Sequence, residues 1–181
     1  MKASIAEAAR SADAMRDVAK ALAAETEAAR ENLRAYLTVS LIGVIPQNKD
    51  TGYRYEVRMT LKNVGNTPAY NVASNFYADV LPNPPPQAFK IPAFNQKIAG
   101  ESTVGPHQNA VLTAVAPRVY SDEDVNEITH VGVKKLLFVF GTVVYKDAFG
   151  GSRYIKVCQE ILWLANGNQM SRNYGNYNEA N

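Results

Sequence analysis

The spacing of apolar side chains changes once along this chain, near Tyr36, and that change limits the folds open to it. Before it, Ile5, Ala8, Ala12, Met15, Ala19, Leu22, Thr26, Ala29, Leu33 and Tyr36 recur at alternating intervals of three and four residues. Such a stripe belongs to one face of a helix with a heptad repeat. Alanine dominates the stretch and has the highest helix propensity, so a continuous helix over about residues 3–34 is expected even with little packing. Oppositely charged residues three apart (Glu7–Arg10, Asp13–Arg16, Asp17–Lys20, Glu27–Arg30 and Glu31–Arg34) each add about a few tenths of a kcal/mol. At about 1.5 Å per residue the rod, residues 1–35, would extend about 50 Å, more than a small domain needs for a core helix.

The stripe is thin. Only Ile5, Met15, Leu22, Leu33 and Tyr36 give it bulk, and alanine buries little apolar area. Two readings stay open. The rod docks along its own head or projects from it, or it associates with other copies through a seam of Ile5, Met15, Leu22 and Leu33.

After Tyr36 the period is two. Leu37, Val39 and Leu41 alternate with polar residues, and residues 46–52 collect turn formers. Tyr53, Tyr55, Val57, Met59 and Leu61 alternate with Arg54, Glu56, Arg58, Thr60 and Lys62, as in a strand with one buried face. Residues 63–68 form a turn in which Gly65 and Asn66 can take positive φ. A strand over residues 69–80 follows, with Tyr70, Val72, Phe76 and Val80 expected inside. Five prolines between residues 82 and 92 call for an extended connection. Gly105-Pro106 leads into a strand at 110–116, and Ser121 to Asp124 reads as a capping box opening a short helix to about Val133. Residues 136–146 and 154–164 are the most apolar strands, placed centrally as a hairpin bringing Tyr145 near Tyr154. Residues 36–166 are thus expected to form an antiparallel two-sheet sandwich. Residues 167–181, rich in Asn and Gly, read as an irregular tail with Tyr174 and Tyr177 as anchors.

The charge pattern narrows the partners. A formal net charge of +2, with nineteen dispersed Lys and Arg, lacks the concentrated basic face a nucleic acid requires. A single cysteine, Cys158, allows no intramolecular disulfide. No apolar run approaches the roughly 20 residues of a membrane-spanning helix. Membrane association is therefore expected only through an upstream anchor that these residues do not contain.

The run from Leu61 to Val72 (LKNVGNTPAYNV), and Val144 to Gly150 (VYKDAFG) followed by Cys158, resemble an uncharacterised bacterial family. In that family a membrane-anchoring segment precedes an Ala- and Glu-rich helix and a C-terminal immunoglobulin-like β-domain. The Asn-x-Gly-x-Thr-Pro-Ala element is also similar to a turn in bacterial immunoglobulin-like adhesion modules. The resemblance implies a mainly β fold with a long N-terminal helix, and an immunoglobulin-like antiparallel sandwich with one short helix. It implies a membrane-tethered place in the bacterial envelope and carries no catalytic residues.

His107 sits in a turn and His130 near the end of the short helix, far apart in sequence. With one cysteine and two histidines no zinc set of ordinary spacing can be drawn. Asp122, Glu123 and Asp124 fit a first helical turn better than a cation site. Asp147 with Gly150 and Gly151 reads as a hairpin turn, and Cys158 as a small buried hydrophobe. No catalytic, cofactor or metal residue is assigned. Protein contact is expected instead, from Phe89 and Phe94 beside the proline-rich connection and from Tyr53 and Tyr55 on a strand. The function expected is a non-enzymatic interaction or scaffold module of the bacterial envelope, carried on a helical spacer, with an unknown protein partner. The alternative is a structural subunit of a phage or secretion assembly, a homo-oligomer through its N-terminal helix.

Overall fold

A computed structural model describes residues 2–50, 52–95, 102–129 and 134–181, and the side chains of residues 2–6, 8 and 9 are outside that description. Alanine-rich sequence holds one helix, α1 (Lys2–Leu33). Its side chains from residue 10 to residue 33 are all exposed, so the rod projects rather than lying along the head. The ion pairs Asp13–Arg16 at 3.2 Å and Asp17–Lys20 at 4.0 Å are formed.

The joint between rod and head is closed by packing. Ala35 is buried, Val64 N–H donates to Tyr36 O at 2.7 Å, and Tyr145 Oη donates to Ala35 O at 3.3 Å. Asn66 Nδ2 donates to Asn32 O at 3.2 Å and Tyr36 Oη to Glu31 O at 3.0 Å, which satisfies carbonyls left free at the helix end. Gly65 does not adopt positive φ. It is needed because a Cβ there would meet Arg34 O at 2.3 Å and Tyr36 N at 2.6 Å.

Among the described residues the head holds nine strands in two antiparallel sheets. They are β1 (Leu37–Lys49), β2 (Gly52–Asn63), β3 (Ala69–Pro82), β4 (Ser102–Val104), β5 (Asn109–Val115), β6 (Lys135–Lys146), β7 (Ser152–Trp163), β8 (Gln169–Asn173) and β9 (Glu179–Ala180). One sheet has the order β1-β2-β5. The other runs β4-β3-β6-β7-β8, with β9 also on β7. The sheets face one another as an open sandwich, mainly β with two α-helices among the described residues, as the periodicity predicts. Val57, Met59 and Ala114 from the first sheet meet Val80, Leu137, Val139 and Ile161 from the second.

Several details depart from the sequence reading. The expected turn at 46–52 is mostly strand. Pro46 sits in β1 opposite Tyr55, tolerated because β1 is an edge. Tyr70 is exposed rather than buried, because a bulge between Tyr70 and Ala73, with Asn71 at φ 50°, turns it outward. Tyr145 pairs with Arg153 and Tyr154 with Val144, so the alternation puts the two tyrosines on opposite faces. The tail at 167–181 is not irregular, since β8 and β9 add to β7 and a 3-10 turn (Gly175–Tyr177) lies between them. The short helix α2 (Asp122–Thr129) opens on the predicted box, with Asp124 N–H donating to Ser121 Oγ at 3.2 Å. Its expected extension to Val133 falls outside the described residues.

Residues 136–143 of β6 are all buried, which needs cover on both faces. On the outer face Leu136, Phe138, Phe140 and Cys158 form a separate cluster. It is covered by Phe89 and Ile91 from the proline-rich connection and by Tyr174 and Tyr177 from the C-terminal residues. Tyr174 meets Phe138 edge-on at 5.3 Å, as an anchoring tyrosine should.

Candidate docking groove

The groove follows from how the proline-rich connection is fastened. Asn83 N–H donates to Lys134 O at 2.7 Å at one end, and Asn75 Nδ2 donates to Asn95 O at 3.0 Å at the other. Between them Phe89 N–H donates to Pro86 O at 2.8 Å, forming a turn. The Phe89 ring packs edge-on against Phe140 at 5.1 Å and Tyr177 at 5.4 Å. Beyond Phe89 the strap stands off the sheet as a wall of residues 90–94.

The resulting groove encloses about 680 Å³. Its floor is the outer face of the β6–β7 hairpin at Thr142, Val144, Tyr154 and Lys156, and its far wall is Asn176, Tyr177 and Glu179. A second hollow of about 510 Å³ shares Phe94, Val144 and Tyr154 with the first and continues over Ala73. The lining is mostly apolar, with Ile91, Pro92, Phe94 and Val144 supplying much of it. Such a surface suits a ligand with hydrophobic groups.

Charges sit at the rim. Lys156 Nζ bonds Glu179 Oε2 at 2.8 Å, which raises the lysine pKa and lowers that of the carboxyl. Arg153 is held by Asp147 at 2.8 Å. Among the described residues Lys90 and Lys146 have no carboxylate partner, so the rim keeps an excess of positive charge.

The four side chains expected to make protein contact are not brought together. Phe94 lines the groove, whereas Phe89 is clamped beneath the strap. Tyr55 is buried between the sheets, 5.7 Å from Tyr120 and 6.1 Å from Trp163. Burial first, and Tyr120 next, push its phenol up to about 12. Tyr55 is thus corrected from contact surface to core, while Tyr53 is half-buried at that end of the sandwich, where its backbone bonds Tyr120. Of the seam residues, Met15 is 70%, Leu22 62% and Leu33 48% exposed on α1, and the side chain of Ile5 lies outside the described residues. Val144, Tyr154 and Tyr177 were missed as lining groups. The one signal for them was the unbroken apolar run of β6, which calls for a covering layer without saying where it stops.

The remaining chemical candidates have structural partners. Asp147 Oδ1 accepts from Gly151 N–H at 2.8 Å and Phe149 N–H at 3.0 Å, closing the β6–β7 hairpin. Burial pushes its carboxyl pKa up, but Arg153 and the two amides outweigh that and hold it below the ordinary value. Cys158 is buried and burial pushes its thiol up to about 11, with Glu160 adding to the effect. That disfavours a reactive thiolate. Asp124 is tied to Ser121 and to Lys135 at 3.2 Å. His107 occupies an exposed turn at φ 59°, and His130 is outside the described residues. Among the described residues no three His, Cys, Asp or Glu side chains gather as a metal ion would need. No helix of the described residues is long and apolar enough to cross a membrane.

No curated protein and no solved structure matches the chain. One family model does, over residues 3–160, which takes in α1 and the sandwich through most of β7 and stops before β8. The chain belongs to that family, the Domain of unknown function (DUF8453).

Proposed function

We propose that this protein is a non-enzymatic interaction module of the bacterial envelope, presented on a helical spacer. The observation that carries the reading is the apolar groove between the proline strap and the β6–β7 hairpin, with Phe94 on its wall. Prolines limit the entropy lost when that wall is ordered against a ligand, and Phe94, Tyr154 and Tyr177 supply contact area. Lysines at the rim favour an extended apolar peptide that also carries carboxylates. The envelope setting rests on the resemblance of the 61–72 and 144–150 motifs to a membrane-anchored bacterial family.

Selection of a random peptide library on the full chain tests this. The expected result is enrichment of apolar, acidic peptides whose binding is lost in Phe94→Ala and weakened by salt. Enriched peptides that bind Phe94→Ala equally well, or no enrichment, would count against the groove. A hydrolytic or transfer activity that survives purification and disappears in Asp147→Asn or His107→Ala would overturn the non-enzymatic reading.

A second reading has its own support. The exposed stripe of Met15, Leu22 and Leu33 keeps heptad spacing along α1, which favours a subunit of a phage or secretion assembly joined through its rods. A discrete oligomer that dissociates in Leu22→Lys would support it, and an unchanged mass would remove it.

A further inference from the structure

The free edges of the two sheets are treated unequally. A strand edge exposes unpaired N–H and C=O groups and invites another strand unless it is blunted. The β1 edge is blunted four times over. It has a bulge between Leu41 and Gly43, and carries Pro46 and Lys49. The Gln169 side-chain amide completes the protection, accepting from Val44 N–H at 2.6 Å and donating to Val44 O at 3.2 Å. On β3, Val80 N–H is 3.3 Å from Tyr120 Oη and Val80 O is 3.5 Å from Arg118 Nη2, so side chains again stand in for a strand.

Among the described residues no such device is found on β5. Its sequence, NAVLTAV, has no charge and no proline, and its register with β2 runs from Glu56–Val115 to Lys62–Asn109 without a shift. Among the described residues β5 pairs only with β2. Val111 is 66% and Val115 41% exposed. The strand also closes a sheet of three strands that faces one of six, so this is the side on which the sandwich is narrow.

The sequence of β5 is self-complementary. Residues 110–114 read Ala-Val-Leu-Thr-Ala, a near palindrome centred on Leu112, in which Val and Thr have almost the same shape. We infer that the β5 edge pairs antiparallel with β5 of a second copy of this chain, about a two-fold axis at Leu112. In that register Val111 faces Thr113 of the partner subunit and Ala110 faces Ala114 of the partner subunit. A β-branched pair then forms on the outer face, and on the inner face alanine pairs flank Leu112 against Leu112 of the partner subunit. No like charges oppose one another, because the strand has none. The joined sheet would have six strands in the order β1-β2-β5-β5-β2-β1 and run continuously across both copies. This surface is separate from the groove and from the seam of α1.

Sedimentation velocity on the full chain tests the pairing. The expected result is a concentration-dependent dimer. The double variant Val111→Lys/Thr113→Lys, which sets lysines opposite one another across the axis, is expected to raise the dissociation constant by about tenfold or more. Leu22→Lys on α1 is expected to leave it unchanged. As a second measurement, Val111→Cys and Thr113→Cys protomers, mixed and oxidised, are expected to cross-link to each other in preference to themselves, with buried Cys158 remaining silent. A chain still monomeric at about 1 mM, where even a weak interface is populated, would overturn the inference. So would a dimer lost in Leu22→Lys and kept in the lysine pair, or cross-linking without preference for the mixed pair. A foreign peptide seated on β5 of a monomeric chain would equally overturn it, assigning the edge to another partner.

Discussion

In α1 every side chain from residue 10 to residue 33 is exposed, while in β6 every residue from 136 to 143 is buried. The rod is held by what each residue does within its own turn: alanine propensity, i,i+3 ion pairs and an anchored C-terminal end. The β6 strand is held by what distant segments place upon it. Its inner face meets β2 and β5 across the sandwich, and its outer face meets Phe89, Tyr174 and Tyr177. Damage should therefore remain local in the first region and spread through the head in the second.

Phe138→Ala should show this most strongly. The side chain is fully buried under Tyr174, and its loss should cost about 3–5 kcal/mol. Chemical denaturation of the head is expected to show the whole amount, and a drop well under about 1 kcal/mol would mean the outer cover contributes little. Next in size is Gly65→Ala, which acts where the two regions join. Its methyl would strike backbone atoms of Arg34 and Tyr36, so about 1–3 kcal/mol should be lost. The angle between rod and head should broaden in distance distributions from spin labels on both. An unchanged distribution would show that the close contact at Gly65 does not set the angle.

A smaller effect is expected from pH. The folded pKa of Asp147 lies below its unfolded value of about 3.9, so its contribution is fully present above that pH. It is lost as the pH falls through the lower folded value. Asp147→Asn should flatten the acid limb of the stability curve measured by thermal melting, and an identical limb would show that the carboxylate in the hairpin turn is not linked to folding. The smallest effect on the head should come from Ala19→Gly in the rod. Helical circular dichroism should fall, at a local cost of about 1 kcal/mol, while the melting point of the head stays where it was. A lower melting point would mean that the rod is coupled to the sandwich or paired with another rod.

The same contrast explains which features were readable in advance. The heptad stripe before Tyr36 and the alternation from Tyr53 to Leu61 depend on neighbours a few residues away, and both elements form where the pattern puts them. The capping box at Ser121 and the turn at Asp147 are local hydrogen-bond patterns and also appear as read. Pro46 was misread as a turn former because a sequence does not reveal that its strand is an edge. Tyr70 was misread because a bulge moves it to the other face, and Gly65 because its role is a close approach of chain 30 residues away. The strands β8 and β9 were missed because polar, Asn-rich residues become strand only when β7 offers them an edge.

The candidate site divides in the same way. Phe94 was legible as an aromatic beside prolines. Nothing in the sequence separated it from Phe89, which the fold clamps against Phe140, or from Tyr55, which the fold buries. Spacing within the chain determined by itself that a helical shaft meets a β head near Tyr36, because backbone period is set by residues a turn or two apart. Only the tertiary structure decided which apolar side chains became core and which line a groove. It also decided which strand edge was left unprotected, since each depends on a segment far along the chain that covers one surface and not another.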